Sequence, residues 1–143
     1  MAKIAIASDH GGYKLKEKIK EHFADFDWLD LGTDSDESVD YPEFGQALAR
    51  AITNGEAEQG VLICGSGIGI SIAANRFAAV RAALCTSEEM ATLSRQHNNA
   101  NVIALGERIT DEATALKCVE TFFNTNFEGG RHERRVGKLD QTT

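Results

Sequence analysis

The chain has 143 residues, enough for one domain with a real core, and its 42% apolar and 26% charged residues are an ordinary balance for a globular protein. A net charge of −7 argues against general binding to nucleic acid or to an anionic membrane surface. No apolar stretch is long enough to span a bilayer, and Met1-Ala2-Lys3-Ile4 goes straight into a strand pattern, so no signal peptide is expected. Three scattered cysteines, Cys64, Cys85 and Cys118, suggest neither a disulfide framework nor a zinc site, so a reducing, cytoplasmic location is expected.

Strands and helices alternate along the chain with no internal linker. Lys3 to Ala7 predicts a first strand, and Leu15, Ile19, Phe23 and Phe26 then recur at helical spacing. Trp28 to Leu31 predicts a second strand, followed by a polar loop from Gly32 to Asp40. Pro42, the only proline, suits the first turn of a helix that buries Phe44, Leu48, Ala51 and Ile52 and ends near Asn54-Gly55. Gly60 to Ile63 is a third strand, and a glycine loop then leads into a helix through Arg76. Ala82 to Cys85 is a fourth strand, and Ser87 caps a helix running to about His97. Val102 to Leu105 is the fifth strand, and Thr110 is expected to cap a long helix to about Asn124. Glu128-Gly129-Gly130 breaks the pattern before a short final helix from Arg131 to Leu139.

Five strands alternating with helices predict a Rossmann-like three-layer α/β/α sandwich around a five-stranded parallel sheet, in a single domain over 1–143. The carboxyl ends of its strands bring together the segments that begin at Ser8, Gly32, Cys64, Thr86 and Gly106.

The chemistry concentrates there. Gly65, Gly67 and Gly69 form a G-x-G-x-G loop, either a tight structural turn or a set of backbone N–H groups around negative charge. It is not a Walker loop, and it fits the dinucleotide fingerprint poorly, because Cys85-Thr86 stands where that fingerprint needs an acid. Cys64 sits at the mouth of the loop, where a thiol can serve as base or nucleophile. Asp9 either caps the next helix or offers a carboxylate at the same crevice, next to His10. His97 either caps a helix C-terminus or transfers protons. Arg131, His132, Arg134, Arg135 and Lys138 make a basic tail that is either solvated or meets an anionic ligand. No residue spacing predicts a required metal.

Taken together, Ser8-Asp9-His10-Gly11-Gly12, Asp40-Tyr41-Pro42, the run from Ile63 to Asn75, Ser94-Arg95-Gln96-His97-Asn98 and Glu128-Gly129-Gly130-Arg131-His132 resemble the type B ribose-5-phosphate isomerases. That group of sugar-phosphate isomerases also includes galactose-6-phosphate isomerase subunits. The resemblance implies interconversion of ribose 5-phosphate and ribulose 5-phosphate with no metal or organic cofactor. It implies a homodimer or homotetramer with shared active sites, the tail from about 128 to 143 packing on a partner subunit.

Carried over motif by motif, the resemblance makes Cys64 the proton-transfer base. It gives His97 the opening of the furanose ring, with Asp9 and Ser66 assisting. The backbone of Gly65, Ser66, Gly67, Ile68 and Gly69 becomes the anion hole for an enediolate. Tyr41 and Asn98 become sugar contacts. His10, Arg108, Arg131 and Arg135 meet the phosphate, with His132 a further candidate. The glycine loop alone would have suggested a phosphate cradle; the resemblance assigns it the reacting oxygens instead.

Ser66 replaces the threonine common among relatives with a catalytic cysteine and keeps the hydroxyl. Gly69 stands where serine-type relatives carry a glutamate, so the cysteine version of the chemistry is the one implied. The competing readings are an isomerase of a six-carbon sugar phosphate, a non-enzymatic phosphate-ligand binding module, and a NAD-dependent oxidoreductase.

Overall fold

A computed structural model describes residues 3–141. Met1, Ala2, Thr142 and Thr143, which the single-domain and tail expectations include, lie outside the described residues. The strands are β1 (Ile4–Ser8), β2 (Trp28–Asp30), β3 (Gln59–Cys64), β4 (Ala82–Leu84) and β5 (Val102–Gly106). The helices are α1 (Tyr13–His22), α2 (Tyr41–Thr53), α3 (Ile68–Asn75), α4 (Glu88–Gln96), α5 (Glu112–Phe123) and α6 (Arg131–Leu139), and a 3-10 turn, His10–Gly12, precedes α1.

All strand pairs are parallel, in the order β2-β1-β3-β5-β4. The expected three-layer sandwich is therefore the fold. Leu15 and Ile19 of α1, Ala91 of α4, and Ala115, Cys118, Val119 and Phe122 of α5 pack on one face, against Ile6, Val61, Ile63, Ile103 and Leu105. Leu48 and Ala49 of α2, with Ile70 and Ala74 of α3, pack on the other face, against Ala5, Ala7, Leu62, Cys64, Val102 and Ala104. Crossovers stepping toward β2 or back from β4 use the first face, and those stepping the other way use the second, as a single crossover hand requires. β3 is central, and Val61, Leu62 and Ile63 are fully buried. Each such side chain contributes about 1.5–3 kcal/mol of burial. That rigid strand ends at Cys64.

Two local expectations fail for tertiary reasons. The apolar spacing through Phe23 and Phe26 does not continue α1, which ends at His22. Phe23 and Phe26 instead stack at 5.4 Å, and Phe26 meets Phe123 edge-on at 5.5 Å, so aromatic packing with α5 claims them. The cap of α5 is Asp111, whose carboxylate accepts from Thr114 N at 2.7 Å, not Thr110. Thr110 Oγ1 is buried without a hydrogen-bond partner. At α4 the predicted cap holds: Ser87 Oγ accepts from Met90 N at 3.2 Å.

A buried cation ties α1 to the sheet edge. Lys16 is 1% exposed, and its Nζ donates to Asp30 Oδ2 at 2.7 Å and Oδ1 at 2.8 Å. Burial pushes the Asp30 carboxyl up, but hydrogen bonds from Lys16, Lys20 and Gly32 N outweigh it and hold the group below its usual value of 3.8. Asp30→Asn leaves the Lys16 ammonium with only Glu17 Oε2, at 3.2 Å, as a carboxylate partner, and should cost about 2 kcal/mol of stability at pH 7. Because the folded carboxyl lies below its unfolded value, the wild-type contribution is complete above that value. It disappears as pH falls through the folded value, below about pH 4. Urea midpoints of wild type and variant, measured at pH 7 and at successively lower pH below about 4, check this: the gap between them should narrow as the pH falls.

Candidate active site

The carboxyl ends of β1, β3 and β5 open onto a cavity of about 570 Å³. Asp9, Tyr41, Cys64, Gly65, Ser66, Ile68, Gly69, Ile72, Arg108 and Ile109 line it. Asp9 follows β1 directly, Cys64 ends β3, and Arg108 follows β5. The residues after the strands are stitched together: Glu107 N donates to Cys64 O at 3.0 Å, Arg108 N to Gly65 O at 2.9 Å, and Asp9 N to Ile63 O at 3.3 Å. Three neighbouring strands thereby hold three reactive side chains in one fixed frame.

The glycine loop turns toward its own cysteine. Gly67 N donates to Cys64 Sγ at 3.1 Å, and Ile68 N donates to Ser66 Oγ at 3.2 Å. The N–H groups of Gly65 and Ser66 find no acceptor among the described residues. Gly67 holds φ +79°, in the left-handed region, and a Cβ there would lie 2.6 Å from Leu84 Cδ1 and 2.8 Å from Leu105 C. Gly67→Ala therefore meets both a backbone penalty of about 1–2 kcal/mol and a collision with β5. It is expected to lower the melting temperature and to displace the N–H that meets Cys64. An unchanged melting temperature would contradict that account. Gly69 matters differently: a Cβ there would come within 2.6 Å of Tyr41 Cζ, so this glycine lets the phenol lie over the start of α3.

Asp9 is 7% exposed and sits in the N-cap position of the 3-10 turn, yet its side chain caps nothing. Its Oδ1 is buried without a hydrogen-bond partner. A buried carboxylate oxygen left unpaired beside a cavity is costly unless a ligand's hydroxyl meets it. Asp9 therefore does not cap the turn, and it lines the cavity instead.

The other candidates lie elsewhere. His10 is next to the cavity but outside its lining, with Nδ1 accepting from Val39 N at 3.1 Å, which fixes the ring. His97 ends α4, with its N–H on Leu93 O at 2.9 Å. Since α4 begins after the carboxyl end of β4 and runs back, His97 and Asn98 reach the amino end of the sheet, opposite the carboxyl end where Cys64 lies. Asn98 lines a separate cavity of about 370 Å³ with Asn75, Arg81, Leu139 and Asp140. The five residues of β5 alone span roughly 16 Å, too far for His97 and Cys64 of one chain to touch the same pentose.

Arg131 and Arg135 lie exposed on α6, whose inward His132 and Val136 seat the helix on its own chain. Arg81 also pairs with Asp140 at 3.3 Å. His97 and His132 stack at 4.3 Å with 11° between their planes. Glu128 Oε1 lies 3.5 Å from His132 Nε2 and 3.9 Å from His97 Nε2. Burial, His97 and Arg131 press the His132 imidazole below its ordinary value, with Glu128 opposing and Arg135 adding to the effect. Sequence spacing missed this grouping, because its members come from separate elements. Ile72 and Ile109 on the cavity rim were also missed, since an exposed isoleucine carries no sequence signal of a site.

The α/β sandwich thus presents a cysteine, a glycine loop and a buried unpaired carboxylate at the ends of adjacent parallel strands, where ligands bind in such folds. The profile of the Ribose/Galactose Isomerase family matches residues 4–139, and the chain belongs to that family. Among curated proteins, it is 45% identical over 138 residues to ribose-5-phosphate isomerase B of Escherichia coli (strain K12), covering 95% of this chain and 93% of that protein. Among solved structures, ribose-5-phosphate isomerase B of Clostridium thermocellum superposes with a TM-score of 0.95 at 50% identity, over 96% of this chain and 95% of that one. Ribose-5-phosphate isomerase B of Mycoplasma genitalium, solved with bound ribulose-5-phosphate, superposes with a TM-score of 0.91 at 44% identity, over 96% and 93% of the two chains. No helix among the described residues is long and apolar enough to cross a membrane.

Proposed function

We propose that this chain is an aldose–ketose isomerase that interconverts D-ribose 5-phosphate and D-ribulose 5-phosphate, with Cys64 as the base. The observation that carries the reading is the site itself: Cys64 Sγ held by Gly67 N at 3.1 Å, beside the unpaired Asp9 Oδ1 and the unengaged Gly65 and Ser66 N–H groups. The family supports the reaction class, as does the relative solved with ribulose-5-phosphate.

The furanose must open first. Protonated His97 gives its proton to the ring oxygen while the C1 hydroxyl proton leaves toward Asp9, with Ser66 assisting. The C1–O ring bond breaks and the aldehyde forms. The Cys64 thiolate then takes the proton from C2, and the C2–H electrons become the C1–C2 double bond of an enediolate. Its oxygens meet the Gly65 and Ser66 N–H groups, where charge stabilisation by one such donor is worth about 3–4 kcal/mol. The O2 hydroxyl proton passes to O1, the O2 electrons form the C2 carbonyl, and Cys64 returns the carbon proton to C1, which completes the ketose. Tyr41 and Asn98 contact the sugar. Arg108, Arg131, Arg135 and His10 meet the phosphate, for which guanidinium forks suit the geometry.

These assignments need two copies of the chain. One chain offers Cys64 at the carboxyl end of its sheet and His97 at the amino end. Around the Cys64 cavity, Ile68, Ile72 and Ile109 are each more than half exposed. An apolar rim around an incomplete site supports a homodimer in which one copy supplies Cys64 and its partner supplies His97. The outward face of α6, with Arg131, Arg134 and Arg135, then remains for the partner.

The direct test is ribulose 5-phosphate formation from ribose 5-phosphate by purified protein in EDTA. Turnover is expected, without added metal. A folded protein that leaves ribose 5-phosphate unchanged but converts allose 6-phosphate or galactose 6-phosphate would move the proposal to the six-carbon substrate.

A further inference from the structure

The geometry points to a transition-metal site made by His97 Nε2, Glu128 Oε1 and His132 Nε2, suited to Zn²⁺ rather than Mg²⁺. These three residues are the one group of three potential ligands found together among the described residues, and their ligand atoms all lie within 4.8 Å of one another. Two imidazoles and one carboxylate form a zinc ligand set that leaves a fourth position open. Bonds of about 2.0–2.2 Å in a tetrahedron place neighbouring ligand atoms roughly 3.3–3.5 Å apart. The Glu128–His132 separation of 3.5 Å already matches, and the Glu128–His97 separation of 3.9 Å is close. A turn of the stacked His97 ring brings its lone pair toward the other two.

The ligands are also anchored. Glu128 N donates to Gln96 O at 3.1 Å, next to His97, and His132 N donates to Gly129 O at 3.1 Å. Hence the loop before α6 is tied to the end of α4 by its own backbone. The His132 ring is 10% exposed, while His97 and Glu128 leave the metal reachable from solvent at 40% and 49%. A site with nitrogen donors and one oxygen favours zinc-like ions over magnesium, which prefers an all-oxygen shell. Arg131 and Arg135 sit on the same helix and oppose a cation, so the site is weaker than a structural zinc centre.

Bound zinc takes the Nε2 lone pair of His97. On the reading that His97 opens the furanose ring, zinc therefore inhibits turnover of ribose 5-phosphate reversibly; the site itself does not depend on that reading.

The experiment is zinc titration of untagged wild-type protein against a chromophoric chelator, followed by the isomerase assay with and without zinc. About one saturable zinc per chain is expected. Glu128→Gln and His132→Asn should each weaken it at least about tenfold. Cys64→Ala and His22→Ala should leave zinc affinity unchanged, and magnesium should not compete. Glu128 is exposed, so its variant keeps the test sound if His132→Asn folds poorly. Absence of saturable binding, or equal binding by wild type and Glu128→Gln, overturns the site. Saturable binding lost in Glu128→Gln, with turnover slowed by zinc and restored by EDTA, supports both the site and the His97 assignment. The same binding without inhibition supports the site and overturns the ring-opening duty of His97.

Discussion

Cys64→Ala is expected to lower kcat by about 10² to 10⁴-fold while changing KM by no more than about threefold. General acid–base help at carbon contributes rate enhancement of that order. The thiol acts on the C2 proton in the transition state, so substrate binding loses little when it goes. The fold should survive. Cys64 is small and lies at the end of β3, where the ladder to Gly106 and the hydrogen bond from Glu107 N run through its backbone. Loss of the Gly67 N–H contact to sulfur removes one hydrogen bond of about 1 kcal/mol. Steady-state kinetics on ribose 5-phosphate, with circular dichroism as the folding control, decide the matter. A variant with normal kcat and a greatly raised KM would make Cys64 a binding residue and remove the base from the proposed mechanism.

Mixing two inactive variants should restore activity. Cys64→Ala and His97→Asn each spoil every site of a homodimer whose sites combine residues from both copies. In a heterodimer of the two, one site carries both changes and the other carries neither. Random exchange makes half the dimers mixed, so about a quarter of wild-type activity should return. Co-refolding the two variants, or co-expressing them with distinct tags, produces the mixture, and native mass spectrometry verifies that mixed dimers are present. No recovery in a verified mixture would place both residues in one subunit's chemistry or deny His97 a catalytic part. The geometry behind the prediction is the reversal of α4. Its capped start at Ser87 lies on the Cys64 side of the sheet, and its end at His97 lies on the other.

Much of the frame is legible in the order of residues. β3 reads as an unbroken apolar run because both faces of a central parallel strand are covered, and such a strand has no polar side to mark. Pro42 at the start of α2 and Ser87 at the start of α4 are local chemical signals, and both helices start where those residues predict. Asp111 carries the same kind of signal beside Thr110, and two adjacent cap formers cannot be ranked without knowing which one the sheet buries. Phe23 and Phe26 mislead for a related reason: periodicity records that a residue is apolar, not which neighbour it packs against.

The site divides along the same line. Asp9, Cys64, Ser66 and the glycine loop follow strand ends, so a parallel topology alone groups them. Whether Asp9 caps a turn or faces a cavity is undecidable from its neighbours in the chain, because both need the same carboxylate; the unpaired Oδ1 decides it. His97, Glu128 and His132 come from the end of α4, a loop and α6, and no spacing rule connects them.

The alternation of elements, the parallel sheet and the strand-end cluster around Cys64 all follow from the residue order, because hydrophobic period, caps and turns act over a few residues. Three-dimensional packing was needed to show that Cys64 and His97 stand at opposite ends of one subunit's sheet, that Asp9 is buried without a partner, and that two histidines and a glutamate converge. Those facts depend on the course of helices across the sheet and on burial, both set by contacts between segments far apart in the chain.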